Sequence, residues 1–273
     1  MALLDDPSPA VWEPVRDHLE RAGRAAVPAL RRAASHPEPR VRLRSRALLA
    51  THARRATLRR LAATLARDPV DLEAGLWRLA RAADPEFDAR EARIQLDRLA
   101  ARVRARGHGL DAGMAKALAL VDVLCEEDGL RGAEDGYHHP DNAHLGRVLE
   151  RRRGLPLSLV AIHLLVARRA GIRAAAVPLP GHVMLRLYAG ERSLLVDPFH
   201  GGKIRTRKDC LTYLLHQGLA PRTDWFADAT DRQLLLRQTG NLINGLRLVG
   251  RSAEAHALKD VLRAVEPRPR SSD

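Results

Sequence analysis

"GLPLSLVAIHLLVARRAGI", residues 154–172, decides how this chain is read. Proline suits the first turn of a helix, where its missing N–H would be unpaired anyway and its φ is preset. Glycine suits the position just past a helix end. Between them Leu157, Val160, Leu164 and Val166 mark an apolar side, so the stretch predicts a buried central helix over 157–170. Downstream, "PLPGHVMLRLYAGERSLLVDPF" (178–199) alternates in the manner of strands, with "YAGER" as a hairpin turn. The strand region runs roughly from Ala174 to Val196 and should flank the helix.

A helix start, then His182, then Asp197 is the order in which a Cys-His-Asp hydrolase carries its groups. Fourteen residues lie between His182 and Asp197, which fits a histidine at one strand's start facing an aspartate at the end of its hairpin partner. In that arrangement the carboxylate orients the imidazole. The position where a nucleophile belongs holds Pro156.

The rest of the chain bounds the setting. Its 273 residues are 45% hydrophobic, enough for one large domain or two to three small ones. Aromatics are only 3%, so the core is built from Leu, Ala and Val, a composition that favours helices. No run of about 18 apolar residues occurs, so no transmembrane helix is expected. "MALLDDPSPAVWEPVRDHLE" has no basic segment before an apolar run, so no signal peptide is expected either. Two cysteines, Cys125 and Cys210, make no disulfide framework. The expected location is cytoplasmic.

The net charge of +13 points toward nucleic acid. Only Lys116, Lys203, Lys208 and Lys259 are lysines, however, and the arginines are spread over every helix. No aromatic interleaving offers base stacking. Solvated helix faces explain this distribution better than a polyanion-binding surface, which stays weakly supported; no membrane contact is expected.

Along the chain, "RAAVPALRRAASHPEPRVRLRSRALLATHARRATLRRLAATLARD" reads as two amphipathic helices of about ten residues joined by "SHPEPR", with Val27, Leu30, Val41, Leu43 and Leu48 on a common apolar side. The pattern resembles a HEAT repeat, and one such unit must lean on its neighbours. Asp71, and Asp88 or Asp84, are expected N-caps of the next two helices. A further helix ends at Gly129, "AEDGYHHPDNAH" is a loop, and "NAHLGRVLERRRG" is a helix stopped by Gly154. The segment "RQLLLRQTGNLINGLRLVGRSAEAHALKDVLRAVEP" resembles one tetratricopeptide repeat of about 34 residues. It predicts a helical hairpin over 232–250 and 253–264, packed on the rest of the chain, with a polar tail over 268–273.

From Asp71 to Pro267 the order of "DLEAGLWRLARAADPEFDAREARIQLDRLAARV", "GYHHPDNAHLGRVLERRRGLPLSL", "VARRAGI", "PGHVMLRL", "VDPFHGG" and the terminal helix pair resembles the bacterial SirB-type transglutaminase-like proteins. The resemblance implies an α+β, mostly helical fold related to papain and transglutaminase, with a central helix on a small antiparallel sheet. It further implies a helical N-terminal extension and a tetratricopeptide-like tail. The expected divisions are a HEAT-like extension over 1–66, a transglutaminase-like domain over 67–229 and a helical hairpin over 230–267. In active relatives the nucleophile is a cysteine two residues after a glycine, at the first turn of the central helix. Aligned on Gly154 and Gly171, that slot falls on Pro156.

A thiolate there would gain from the free N–H groups and positive end of the helix, and a neighbouring imidazole would take its proton. Proline offers neither. Ser158 lies roughly 200° around the helix from the slot and is expected to point away from His182. Cys125 is on another helix, where Glu126 and Glu127 would raise its pKa; Cys210 has basic neighbours that would lower its own. Both read best as structural. His138, His139, Asp141 and His144 cluster in one loop, and His182 and His200 are the other imidazoles within reach of a metal, but no HExxH or paired CxxC occurs and no metal is assigned. "FHGGK" lacks the second half of a phosphate loop. No cofactor is expected.

Three readings follow from the residues. The first is a non-catalytic binding or scaffold protein whose helical-repeat surfaces take a protein or peptide. The second is a cysteine-independent hydrolase or acyltransferase in which His182, oriented by Asp197, acts as base toward water. The third is a basic nucleic-acid or regulatory factor. Pro156 favours the first over the second, and the scatter of arginines speaks against the third.

Overall fold

The computed structural model describes residues 2–108, 113–220 and 222–265. The N-terminal part is helical throughout: α1 (Pro9–Ala22), α2 (Val27–Ala33) and α3 (Pro39–Leu65). Two helices of about ten residues were expected here, but α2 has 7 and α3 has 27. Pro39 opens α3 at its first turn, and no glycine or proline interrupts it before Leu65. Its first half packs Val41 and Leu48 against Leu4, Ala26 and Leu30. Its second half delivers Leu61 and Leu65 to the main core. Leu43, expected on the apolar side, is 71% exposed. Two residues after Val41, it stands about 200° around the helix from the buried face that Val41 and Leu48 share.

α4 (Leu72–Ala83) and α5 (Ala89–Arg106) start at side-chain caps. Asp71 accepts the Ala74 N–H, and Asp88, rather than Asp84, accepts the Arg90 N–H. α6 (Gly113–Val121) runs into a wider π turn over Asp122–Glu127. Two short strands, β1 (Arg131–Gly132) and β2 (Arg153–Gly154), then pair in parallel around α7 (Leu145–Arg151). The stop of α7 is not Gly154 as expected. Arg152 takes the left-handed conformation at φ 55°, which frees Gly154 for the β1–β2 pair.

α8 (Pro156–Ala170) is the central helix. Every residue from Pro156 to Ala167 is buried, and Gly171 closes it at φ 71°. It lies on an antiparallel meander of β3 (Ala174–Leu179), β4 (His182–Ala189), β5 (Arg192–Asp197) and β6 (Lys203–Arg205), in the order β3-β4-β5-β6. Side chains alternate faces along a strand. Val183, Leu185 and Leu187 accordingly join α8 in the main core. Val177, Leu179 and Met184 meet Cys210, Leu214 and Phe226 on the other face, where α9 (Arg207–His216) begins at a Thr206–Asp209 capping box.

The chain closes with α10 (Asp231–Leu248) and α11 (Ser252–Val265), a hairpin whose Leu234, Leu235, Leu242, Ile243, Leu246, Ala255 and Leu258 belong to the same core as α8. Gly75 of α4 leaves the space that the Leu235 side chain fills. The polar tail expected over 268–273 lies outside the described residues. No helix among the described residues is long and apolar enough to cross a membrane.

Candidate functional site

The start of α8 is held in place from three sides. The Asn142 carbonyl accepts both the Leu155 N–H (3.0 Å) and the Ser158 hydroxyl (2.8 Å). Gln238 of α10 donates to the Ser158 oxygen (2.8 Å) and to the Ala143 carbonyl (2.7 Å). The Asn142 amide reaches back to the carbonyls of Gly136 and Tyr137. Ser158 is fully buried in this network; its hydroxyl is a structural joint and does not face His182. Leu155, at the cap position, contributes no side-chain acceptor, so the first-turn N–H groups of α8 have none from that residue.

His182 is the first residue of β4 and Asp197 the last of β5. The hairpin register brings them together: His182 Nε2 donates to Asp197 Oδ1 at 2.9 Å. With Nε2 so used, Nδ1 is the ring nitrogen turned away from the carboxylate. Asp197 Oδ2 accepts from His200 Nδ1 at 2.7 Å, and the guanidinium of Arg205 lies 3.8 Å from the same oxygen. The ring of Phe199 meets His182 edge-on at 6.1 Å, and Tyr213 leans on it at 6.0 Å. Phe199 fits only because Gly132 has no side chain: a Cβ there would stand 2.6 Å from the ring.

Asp197 is almost fully buried, which by itself would raise its pKa. Hydrogen bonds and charge from His182 and then His200 outweigh burial and bring the carboxyl down to about 2. An ionised group with a depressed folded-state pKa stabilises the fold above its unfolded value of 3.8, and that contribution is lost as pH falls toward about 2. Asp197→Asn should therefore cost about 2 kcal/mol at pH 7. The gap to wild type should close between about pH 4 and 2 in urea titrations; a gap that persists at pH 2 would assign the loss to packing instead of charge.

His182, Asp197 and His200 present ligand atoms within 4.8 Å of one another, a donor set that divalent metals use. Here both carboxylate oxygens already accept imidazole N–H groups beside a guanidinium, so the negative charge a cation would seek is largely spent. The loop histidines do not join them. His144 caps α7 by accepting the Arg147 N–H (3.2 Å), and His139 accepts the Asp141 N–H (3.3 Å).

Neither thiol stands at the slot. Cys125 Sγ lies 3.4 Å from Nε2 of the buried His163, whose Nδ1–H goes to the Leu159 carbonyl. Burial pushes this thiol up to about 12, with Glu126, Asp197 and Asp122 adding to it, and burial brings His163 down to about 4. The pair is neutral thiol and neutral imidazole. Cys210 corrects the expectation of a lowered pKa: burial first, then Asp209 and Asp197, raise it, against a smaller opposing effect of Arg205.

In front of Pro156 lies a cleft of about 450 Å³. One wall is the α8 start, Leu155 to Leu157; the opposite wall is the β3–β4 turn with His182. Tyr137 and His138 border it on a third side. The fourth side is α10, through Arg237, Gly240, Asn241 and Asn244, residues three and four apart and hence on one helix face. Two glycines of α10 contrast. Gly245 is required by packing, since a Cβ would stand 2.8 Å from the His138 carbonyl oxygen. Gly240 is not: a Cβ there meets nothing within 4 Å, although glycine in a helix interior costs roughly 0.5–1 kcal/mol relative to alanine. Phe199, Gly132 and the α10 face were not recognised from sequence as parts of one site; His200, named from sequence only as a possible metal neighbour of the loop histidines, instead bonds Asp197. The mid-helix glycine in "RQTGN" was the available signal.

A profile of the family described as the transglutaminase-like superfamily matches residues 90–240. A UPF0162 protein of Pseudomonas aeruginosa is 31% identical over 211 residues, 75% of this chain and 75% of that protein. A UPF0162 protein of Xylella fastidiosa is 42% identical over 88 residues, so the match spans 32% of this chain and 31% of that protein's length. The F-box only protein 21 of Mus musculus is 28% identical over 152 residues, 53% of this chain and 24% of the mouse protein. No solved structure matches significantly.

Proposed function

The chain belongs to the transglutaminase-like superfamily, and from that premise we propose that it is a non-catalytic binding protein that keeps the cleft of a Cys-His-Asp hydrolase without its nucleophile. One observation carries this reading: buried Pro156 lines the cleft together with His182, and among the described residues no cysteine lines it. The helices that flank the core, α2–α3 as a HEAT-like pair and α10–α11 as a tetratricopeptide-like hairpin, add surface for a protein or peptide partner. The second reading, hydrolysis by water with His182 as base, draws on the 2.9 Å bond to Asp197.

Incubation with a random heptapeptide library separates the two. Binding without chemistry predicts peptides retained by the protein and recovered with unchanged masses. Cleavage products or acyl transfer that disappear in His182→Ala would overturn it in favour of the hydrolase.

The cysteines give an independent check. At pH 8 native Cys125, with its thiol at about 12, should react with iodoacetamide roughly 10³-fold more slowly than an unfolded cysteine. Alkylation of exposed thiol before unfolding, with loss of peptide binding, would place a working thiol at the site.

A further inference from the structure

Resting on the reading of the cleft as a binding site, we infer that it recognises a carboxylate attached to an apolar body, in the form of a peptide's C-terminus, with Arg237 as the anchor for the charge. The lining divides into two chemistries. Leu155, Pro156 and Leu157 on one wall and Leu179 and Val183 on the facing wall supply apolar surface. Arg237, Asn241 and Asn244 supply donors from α10.

Arg237 makes no hydrogen bond or ion pair with any described residue, and neither asparagine side chain makes a hydrogen bond with one. Its neighbour on the same helix, Arg232, is by contrast committed to the carbonyls of Leu65 and Val265. A guanidinium beside two amides matches the fork geometry and the several lone pairs of a carboxylate. The α8 first turn, with its uncapped N–H groups and positive end, adds to the same sign of potential.

Carboxylates of the protein do not compensate this charge from within the cleft, since none is among its lining residues. Asp197, behind His182, is already satisfied by two imidazoles. Gly240 lies one turn beyond Arg237 on the same cleft-lining face, and a Cβ there would meet nothing within 4 Å. A helix interior that keeps a glycine where packing requires none is what a passage for a ligand's main chain needs. The cleft volume of about 450 Å³ lies in the range of ligand sites, about 300–1,000 Å³, and suits the last few residues of a chain better than a folded surface.

The test uses the full chain and heptapeptides ending in leucine, each as free acid and as C-terminal amide, with affinities from calorimetry. Wild type should prefer the free acids by about tenfold or more, the range for a hydrogen-bonded charge. Arg237→Met should reduce the preference to about twofold or less, and Arg237→Lys should restore part of it. Arg237 is exposed, so these variants leave the core untouched. Gly240→Phe, which adds a ring where a Cβ meets nothing, should abolish binding of acids and amides alike, with circular dichroism confirming the fold.

Equal binding of acids and amides that Gly240→Phe abolishes would leave the cleft as a binding site and overturn the carboxylate anchor. A free-acid preference that survives in Arg237→Met would overturn it as well. Binding unaffected by Gly240→Phe, or no binding to wild type at all, would overturn both the anchor and the cleft reading.

Discussion

Pro156→Cys will convert the cleft into a thiol-reactive site. A cysteine at the first turn of α8 sits at a positive helix end, in the cleft that His182 also lines, and both features favour thiolate. Such thiols have pKa values of about 3.5–7.5 against about 8.5 for a free one. At pH 6.5 the introduced cysteine should therefore react with iodoacetamide roughly 10- to 100-fold faster than an ordinary thiol. The pH profile should show the labelling rate levelling off below the free-thiol range. His182→Ala in the same background should move that profile back toward 8.5, since the imidazolium partner is gone. The substitution also gives up the preset φ of proline, a loss of about 0.5–1 kcal/mol through the unfolded state, small enough to leave the fold intact. A new thiol that titrates like a free cysteine in both backgrounds would show that His182 and Asp197 are not aimed at the slot, and would remove the hydrolase ancestry from the interpretation of the cleft.

Ending the chain at Asp231 will cost the protein its fold. α10 buries Leu234, Leu235, Leu242, Ile243 and Leu246 in the core that also holds α8, and each such side chain contributes roughly 1.5–3 kcal/mol. Their sum rivals the whole stability of an ordinary domain, about 5–15 kcal/mol. Truncation also withdraws Gln238, leaving the buried Ser158 oxygen without its donor. The expected result is an insoluble or dye-binding product with no cooperative thermal transition by circular dichroism. A truncated chain that melts as sharply and as high as wild type would make the hairpin an appendage.

What could be read from sequence was what short-range chemistry writes plainly. Pro156 and Gly171 bracket an apolar run, so the central helix was legible nearly to the residue. Alternation in 178–199 with a Gly190 turn made the strands legible, and with them the approach of His182 to Asp197. Asp71 announced its helix because a carboxylate cap acts within three residues. Missed features depend on partners far along the chain. Arg152 stops α7 in a left-handed turn because β2 must pair with β1, and an arginine does not advertise that conformation. Gln238 reaches Ser158 across 80 residues. The full length of α3 was hidden because its second half is rich in arginine and alanine, with apolar contacts too sparse to mark a face. The α10 side of the cleft was hidden by the repeat pattern itself: residues spaced three and four apart read as a packing stripe until the structure shows that Arg237 and Asn244 face outward.

α3 itself carries a mechanical consequence. Its 27 residues span about 40 Å without a break, with Leu48 in the N-terminal apolar cluster and Leu65 in the core that supports α8. A continuous helix has no swivel, so a force applied to the N-terminal helices is transmitted along a strut instead of being absorbed by a linker. Anything tethered to that end is therefore held at a set distance and bearing from the cleft, and the two parts are expected to tumble together as one body in solution.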